Sequence, residues 1–73
     1  MRVTNSNISL ENFNAWSGAV ETKVAIINAD KASDFDYLIE ELYPDGIEET
    51  QLNDLLWFDE DFIFESLGIK TED

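Results

Sequence analysis

Carboxylates are the most abundant reactive groups in this sequence of 73 residues, which has 17 Asp and Glu but only 4 Lys and Arg. The densest group is the triplet Asp59-Glu60-Asp61, and paired carboxylates can perform general acid–base catalysis. Consecutive residues of a helix point in different directions around its axis, so these three acids do not converge on one proton. The triplet is instead typical of the first turn of a helix, where acids interact favourably with the helix dipole.

Other catalytic chemistry lacks the residues that it needs. The chain contains no His and no Cys, which leaves its serines without an adjacent base and removes the usual zinc ligands. Calcium loops alternate oxygen ligands over about a dozen residues around a Gly, and no such pattern occurs here. We therefore expect a protein that is not an enzyme, binds no cofactor and has no dedicated metal site.

The net charge of −13 narrows the classes of partner. An acidic surface repels nucleic-acid phosphates and anionic lipid heads, so we expect no direct binding to nucleic acid or to a membrane. A helix-turn-helix-like region at 34–58 has no Lys or Arg to hold phosphates. No apolar run approaches the roughly 20 residues of a membrane span, and no apolar signal segment follows the start. These features predict a cytoplasmic protein.

The helical elements must position the acids. The periodicity of apolar residues predicts a single, mainly α-helical domain over residues 1–73, a compact bundle of four to five short helices. The sequence does not decide whether the N-terminus forms a short strand. The predicted helices lie near 10–16, 18–28, 34–43, 49–58 and 60–67.

Start and stop signals support these boundaries. Serine and aspartate are favoured N-caps, and glycine is a favoured C-terminal stop. We therefore expect caps at Ser9, Ser17, Ser33 and Asp59, and a stop at Gly68. Tyr43-Pro44-Asp45-Gly46 predicts a turn, because Pro presets φ and Gly adopts a positive φ.

The acids are concentrated in the C-terminal half, where residues 32–69 hold 12 acids and no base. In the helix at 34–43 the apolar residues share one face, which leaves Asp34, Asp36, Tyr37, Glu40 and Glu41 toward solvent. Like charges one turn apart lower the stability of a helix. A rigid array of such charges therefore indicates that they serve a function. Such an array resembles the spaced phosphates of a nucleic-acid strand. The alternative is that the acidic face only keeps the protein soluble.

Aromatic residues beside the acids could anchor a partner, since aromatic anchors within a polar rim are frequent hot spots. A core position is favoured for Trp16, Trp57, Phe58 and Phe62. We expect Phe64 to be exposed, because Phe62, Ile63 and Phe64 cannot all face inward. The predicted partner-binding residues are Asp34, Asp36, Tyr37, Glu40, Glu41, Tyr43, Asp45, Glu48, Glu49, Asp54, Asp59, Glu60, Asp61, Phe64 and Glu65.

Three motifs carry a resemblance, namely Trp16-Ser17-Gly18-Ala19, Leu42-Tyr43-Pro44-Asp45-Gly46 and the run from Leu52 to Asp61. In order and spacing they resemble a family of small acidic proteins encoded by bacteriophages and mobile elements. Anti-defence proteins, including anti-CRISPR proteins, are similar in size and acidity, and several act as nucleic-acid mimics. The acidic helical surface, together with this likeness in size and acidity, predicts an inhibitor in the host cytoplasm that binds the basic nucleic-acid-binding cleft of a host defence protein. The alternative is an interaction module that docks through exposed aromatics without mimicry.

Overall fold

The computed structural model describes residues 1–69 and is mainly helical, with a short two-stranded sheet at the N-terminus. This confirms the predicted fold class. A single 3₁₀ turn links the strands to four α-helices. The elements in chain order are β1 (Arg2–Val3), β2 (Ser6–Asn7), the 3₁₀ turn (Leu10–Asn12), α1 (Ala19–Asn28), α2 (Ala32–Leu42), α3 (Glu49–Phe58) and α4 (Glu60–Leu67).

The N-terminal residues form an ordered ribbon. Strands β1 and β2 pair antiparallel, with Val3 opposite Ser6, and Thr4 in the connecting turn has a φ of 55°. Ile47 joins the ribbon from the other side, because its N–H donates to the carbonyl of Arg2 at 2.9 Å and its carbonyl accepts from the N–H of Thr4 at 2.7 Å. The ribbon therefore holds the chain between α2 and α3.

The predicted turn at residues 43–46 is confirmed. The N–H of Gly46 donates to the carbonyl of Tyr43 at 2.9 Å, and Gly46 has a φ of 107°. Few residues other than glycine adopt this backbone conformation without strain. The turn directs Ile47 back into the core, where it is buried.

The predicted helix at 10–16 is too long. The 3₁₀ turn ends at Asn12, and Phe13 is already extended, with ψ of 126°. The N–H of Trp16 then donates to the side-chain oxygen of Asn53 at 2.9 Å, and Ser17 has a φ of 57°. Because a tertiary hydrogen bond takes up the backbone donor, the local helical signal does not extend the turn into a helix.

The predicted side-chain caps are also wrong. Ser9 and Asp59 precede helical segments but make no capping hydrogen bond, and Ser33 lies inside α2, which begins at Ala32. The prediction for Gly68 is confirmed, since it ends α4 with a φ of 73°. Packing thus decides where these helices begin, as is usual for short helices.

The core is a single apolar cluster to which every element except β2 contributes buried side chains. Only two polar residues, Thr22 and Asn53, are buried among the described residues. The fully buried large side chains are Phe13, Phe35, Leu10, Ile26, Ile39, Leu52, Leu56 and Ile63, together with those two polar residues.

Candidate functional site

Most of the predicted acids lie on the surface of α2, α3, α4 and the α2–α3 connection. Within residues 1–69 the only ion pair joins Lys31 Nζ to Asp34 Oδ2, at 3.7 Å. The other exposed carboxylates of this surface therefore have no cation within ion-pairing distance among the described residues. They are Glu40, Glu41, Asp45, Glu48, Glu49, Asp54, Asp59, Asp61 and Glu65.

Asp36 is the main exception, because its carboxylate turns partly inward rather than toward solvent. Its Oδ1 accepts a hydrogen bond from the N–H of Leu10 at 3.0 Å, which fixes the 3₁₀ turn against α2. Burial raises the pKa of Asp36, and the Leu10 hydrogen bond and the amino terminus only partly oppose that effect. The expectation that Asp36 belongs to a solvent-facing array is therefore wrong, since this acid has an internal structural contact.

Glu60 also makes an internal contact. Its Oε2 accepts a hydrogen bond from the hydroxyl of the buried Thr22 at 3.2 Å, which ties the first turn of α4 to α1. The side chain is half-buried. Glu60 therefore has a role in the fold that its neighbours Asp59 and Asp61 do not share.

The aromatic residues are distributed differently from the prediction. Phe64 is buried, with 7% of its surface exposed, whereas Phe58 is 70% exposed. Trp16, Trp57 and Phe62 are also exposed, as is Tyr37, and Tyr43 is half-buried. The core positions favoured for Trp16, Trp57, Phe58 and Phe62 are thus wrong, and so is the exposed position of Phe64.

Helical spacing explains both errors. On α4 the buried residues are Ile63, Phe64 and Leu67, so Phe64 and Leu67 share a face at i and i+3 and Phe62 lies outside it. On α3 the buried residues are Leu52, Asn53 and Leu56. At about 100° per residue, Phe58 points to the opposite side of α3. That signal is present in the sequence and identifies Phe58 as exposed.

We call Trp57, Phe58 and Asp59 the α3–α4 corner, because α3 ends at Phe58 and α4 begins at Glu60. The rings of Trp57 and Phe58 stack, with centroids 4.9 Å apart and an interplanar angle of 10°. Trp57 also packs on the backbone of Gly18, where a Cβ atom would lie 2.2 Å from the indole Nε1. The glycine therefore provides space for the indole, which in turn supports the ring of Phe58.

The backbone of Asp59 links the two helices of the corner. Its N–H donates to the carbonyl of Leu55 in α3 at 3.0 Å, and its carbonyl accepts from the N–H of Ile63 in α4 at 3.0 Å. These bonds fix the direction in which the Asp59 side chain leaves the backbone relative to Phe58. The corner is thus a defined surface rather than a loose loop.

Two surface grooves bring predicted site residues together. The first, which we call the corner groove, has a volume of about 270 Å³ and is lined by Tyr43, Gln51, Asp54, Leu55, Phe58 and Asp59. The second lies between α2 and α4, has a volume of about 300 Å³ and is lined by Asp34, Tyr37, Leu38, Glu41, Ser66 and Leu67. Both combine carboxylates with an exposed aromatic ring.

Residues 1–69 contain no cluster of three or more acidic side chains placed to hold a metal ion. Within the same residues, no helix is long and apolar enough to cross a membrane. The chain matches no protein-family model, no curated protein and no solved structure. The function is therefore inferred from the surface itself.

Proposed function

We propose that the protein is an acidic inhibitor that binds the basic nucleic-acid-binding surface of another protein and competes with nucleic acid for it. The observation that carries this proposal is the set of exposed carboxylates on α2, α3 and α4, which have almost no cationic partners within residues 1–69. Lys23, one of the few cations, is occupied elsewhere, since its Nζ donates to the carbonyl of Phe13 at 2.6 Å. The acids thus remain available to a partner.

The density of charge supports mimicry of a polynucleotide. Residues 1–69 hold 15 acids and 3 bases, a net side-chain charge of −12, and the longest axis measures 37 Å. This corresponds to about one negative charge per 3 Å of length, and a nucleic-acid strand carries one per about 3.4 Å of axis. The described residues as a whole therefore carry about as much negative charge per unit length as one nucleic-acid strand.

The resemblance described above makes a phage-encoded, anti-CRISPR-like inhibitor of a host defence protein the specific form of the proposal. Such an inhibitor acts in the host cytoplasm and needs no chemistry of its own. Long-range attraction accelerates association by about 10- to 1,000-fold and weakens as salt rises. The proposed mechanism is competition, so bound inhibitor and bound nucleic acid exclude one another.

A second candidate function is favoured by the exposed aromatics. Trp57, Phe58 and Phe62 leave more apolar surface in solvent than the fold requires, and exposed apolar patches frequently mark protein interfaces. In this alternative the protein docks through these rings, and its acids serve only solubility. Affinity would then depend weakly on salt and strongly on the rings.

Capture from bacterial lysate at low salt tests the proposal. The retained proteins are eluted with rising NaCl, identified by mass spectrometry, and then challenged with single-stranded or duplex DNA. We expect nucleic-acid-binding proteins that elute steeply with salt and that DNA displaces. Retention that DNA leaves unchanged would contradict competition and favour the aromatic module.

Matched charge variants make the test specific. The triple variant Glu40→Gln, Glu41→Gln and Glu65→Gln removes three exposed acids from α2 and α4. The control triple Glu11→Gln, Glu21→Gln and Asp30→Asn removes three exposed acids outside residues 32–69. Mimicry predicts that the first triple lowers affinity more than the second, although the net charge changes equally.

A further inference from the structure

The geometry points to the corner groove as a receptor for an arginine side chain of the partner protein. This inference rests on the proposed function, because it names the residue type through which the basic partner engages the acidic surface. The groove combines an exposed aromatic face with two carboxylates, and this combination matches a planar cation. Each of these features is present in the described residues.

The aromatic face comes from Phe58. One face of its ring stacks against Trp57, and its 70% exposure leaves the rest of the ring open to solvent beside the groove. Trp57 is held in turn by its contact with Gly18. The ring is therefore supported from behind, and a cation that packs on its open side gains a cation–π interaction without reordering the groove.

The carboxylates come from Asp54 and Asp59, which line the same groove. Both are exposed, and neither has a cation within ion-pairing distance among residues 1–69. Asp54 lies one turn before Phe58 on α3, and Asp59 follows Phe58 directly, so the two acids flank the ring. A cation on Phe58 is thus attracted by two charges as well as by the ring.

The end of α3 adds a third contribution. A helix carries partial negative charge at its C-terminus, which favours cations there. The last turn of α3 contains no basic residue, so the helix itself supplies no cation at that position. A cation of the partner at Phe58 would complement the helix end, the two acids and the ring together.

Arginine fits this site better than lysine. Its guanidinium is planar, stacks on aromatic faces and presents a fork of donors to carboxylates, whereas the lysine ammonium is a compact and strongly hydrated point charge. Leu55 and Tyr43 provide an apolar wall for the arginine stem. A purely apolar occupant would instead bring the two acids out of water without a partner, which is costly.

Two peptides of equal charge, nona-arginine and nona-lysine, provide the test. Their dissociation constants for the intact protein are measured by isothermal titration calorimetry in about 150 mM NaCl, where the Debye length is about 8 Å. We expect the arginine peptide to bind about two- to five-fold more tightly, the preference that an exposed cation–π contact of about 0.5–1 kcal/mol produces. Phe58→Leu should lower this preference, because leucine keeps an apolar side chain but removes the aromatic face.

Controls locate the effect at the groove. Phe62→Leu removes an exposed ring that does not line the groove, so the preference for arginine should remain. The double variant Asp54→Asn and Asp59→Asn should weaken binding of the arginine peptide more than Glu40→Gln and Glu41→Gln, which removes the same charge elsewhere. Circular dichroism of each variant verifies the fold.

The possible failures are distinguishable. An arginine preference that Phe58→Leu leaves unchanged, or equal losses in the two double variants, would overturn the arginine site. Salt-dependent binding of both peptides would still support mimicry in that case. Absence of binding by either peptide, even at low salt, would overturn the proposed function together with this inference. A preference that falls in Phe58→Leu and not in Phe62→Leu supports the receptor groove.

Discussion

Helix α2 and the α3–α4 corner place their phenylalanine residues in opposite environments. Phe35 of α2 is fully buried, at the centre of an apolar face that follows the helical repeat. Phe58, at the corner, leaves 70% of its surface in water beside two acids that no cation of residues 1–69 pairs. Folding accounts for the burial of Phe35, whereas the corner leaves the apolar ring of Phe58 exposed, which is frequent on functional surfaces.

The acids of the two regions also differ in whether they contact the rest of the fold or face solvent. Asp36 of α2 is drawn into the structure by the N–H of Leu10, and burial raises its pKa. Asp59 of the corner makes hydrogen bonds only through its backbone among residues 1–69, and its side chain is exposed. The comparison separates acids that belong to the fold from acids that remain available to a partner.

The largest expected effect tests whether Phe35 and Phe58 really differ. Phe35→Ala should lower the free energy of unfolding by about 3–5 kcal/mol, because it opens a cavity in the core. Phe58→Ala should change it by less than about 0.5 kcal/mol, as is usual for exposed positions. Urea denaturation followed by circular dichroism measures both values.

Phe35→Ala could leave such a small domain unfolded, so Phe35→Leu serves as the milder variant, with an expected loss of about 1–2 kcal/mol. A loss for Phe58→Ala as large as that for Phe35→Leu would show that the corner belongs to the core.

The next prediction tests how much the contact between Gly18 and Trp57 stabilises the corner. Gly18→Ala places a Cβ atom within 2.2–2.8 Å of three atoms of the Trp57 ring, while the φ of −63° at Gly18 is compatible with alanine. The variant should therefore lose about 1–3 kcal/mol through overpacking alone. Thermal unfolding gives the loss, and indole fluorescence reports the displacement of Trp57.

Adding Trp57→Leu to Gly18→Ala should recover part of the loss, because the smaller side chain makes room for the Cβ atom. The coupling energy between the two substitutions then measures the contact. Strict additivity would mean that the indole does not rest on Gly18.

The sequence was most informative where one periodicity governs a whole element. The apolar residues of α2 repeat at i, i+3, i+4 and i+7, so its position and its buried residues Phe35 and Ile39 were predictable. The turn at residues 43–46 was predictable as well, because proline and glycine restrict the backbone locally. The helix expected at 10–16 was not, since the hydrogen bond from Trp16 to Asn53 joins residues 37 positions apart.

The candidate site was predictable in its acids but not in its rings. Bulky aromatics are usually buried, and that general tendency misplaces Trp57 and Phe58 in the core. Phe64 was expected at the surface for another reason, namely that Phe62, Ile63 and Phe64 cannot all face inward. The spacing would have placed Phe64 inside and Phe58 outside. The contact between Gly18 and Trp57 depends on how α1 packs against α3, which no local pattern encodes.

A prediction of a smaller effect tests whether the acids around the grooves destabilise the fold. Glu40 lies one turn after Asp36, and Glu65 lies one turn after Asp61, and each like-charged pair costs about 0.2–0.5 kcal/mol. Glu40→Gln with Glu65→Gln should therefore raise the free energy of unfolding by about 0.4–1 kcal/mol at low salt, and by less at high salt. Urea denaturation at both salt concentrations measures the gain.

The control is Glu21→Gln with Asp30→Asn, which removes two exposed acids that have no acid one turn away in a helix. This pair should change stability by less than the first pair does. An equal gain in both variants would mean that total charge, rather than the placement of acids on α2 and α4, determines the repulsion.

The last prediction concerns Asp36 and the direction in which pH changes its contribution to the free energy of unfolding. Because its pKa in the folded protein is raised above the ordinary value, the folded state binds more protons than the unfolded state across the interval between the two values. Its contribution to stability is therefore complete below the ordinary pKa and is lost as pH rises through the folded pKa. Asp36→Asn removes the charge and keeps an oxygen that can accept from Leu10, so it should stabilise the protein at pH 7.

The gain from Asp36→Asn should shrink as pH falls below the ordinary aspartate pKa, where the wild-type carboxyl is neutral in both states. Urea denaturation of wild type and variant at pH 7 and near pH 3 isolates Asp36, because the other carboxylates are common to both proteins. A variant less stable than wild type at pH 7 would mean that the Leu10 hydrogen bond and the amino terminus outweigh burial. The charge of Asp36 would then stabilise the folded protein. Asp36 would differ from the acids of the corner only in its hydrogen bond to Leu10.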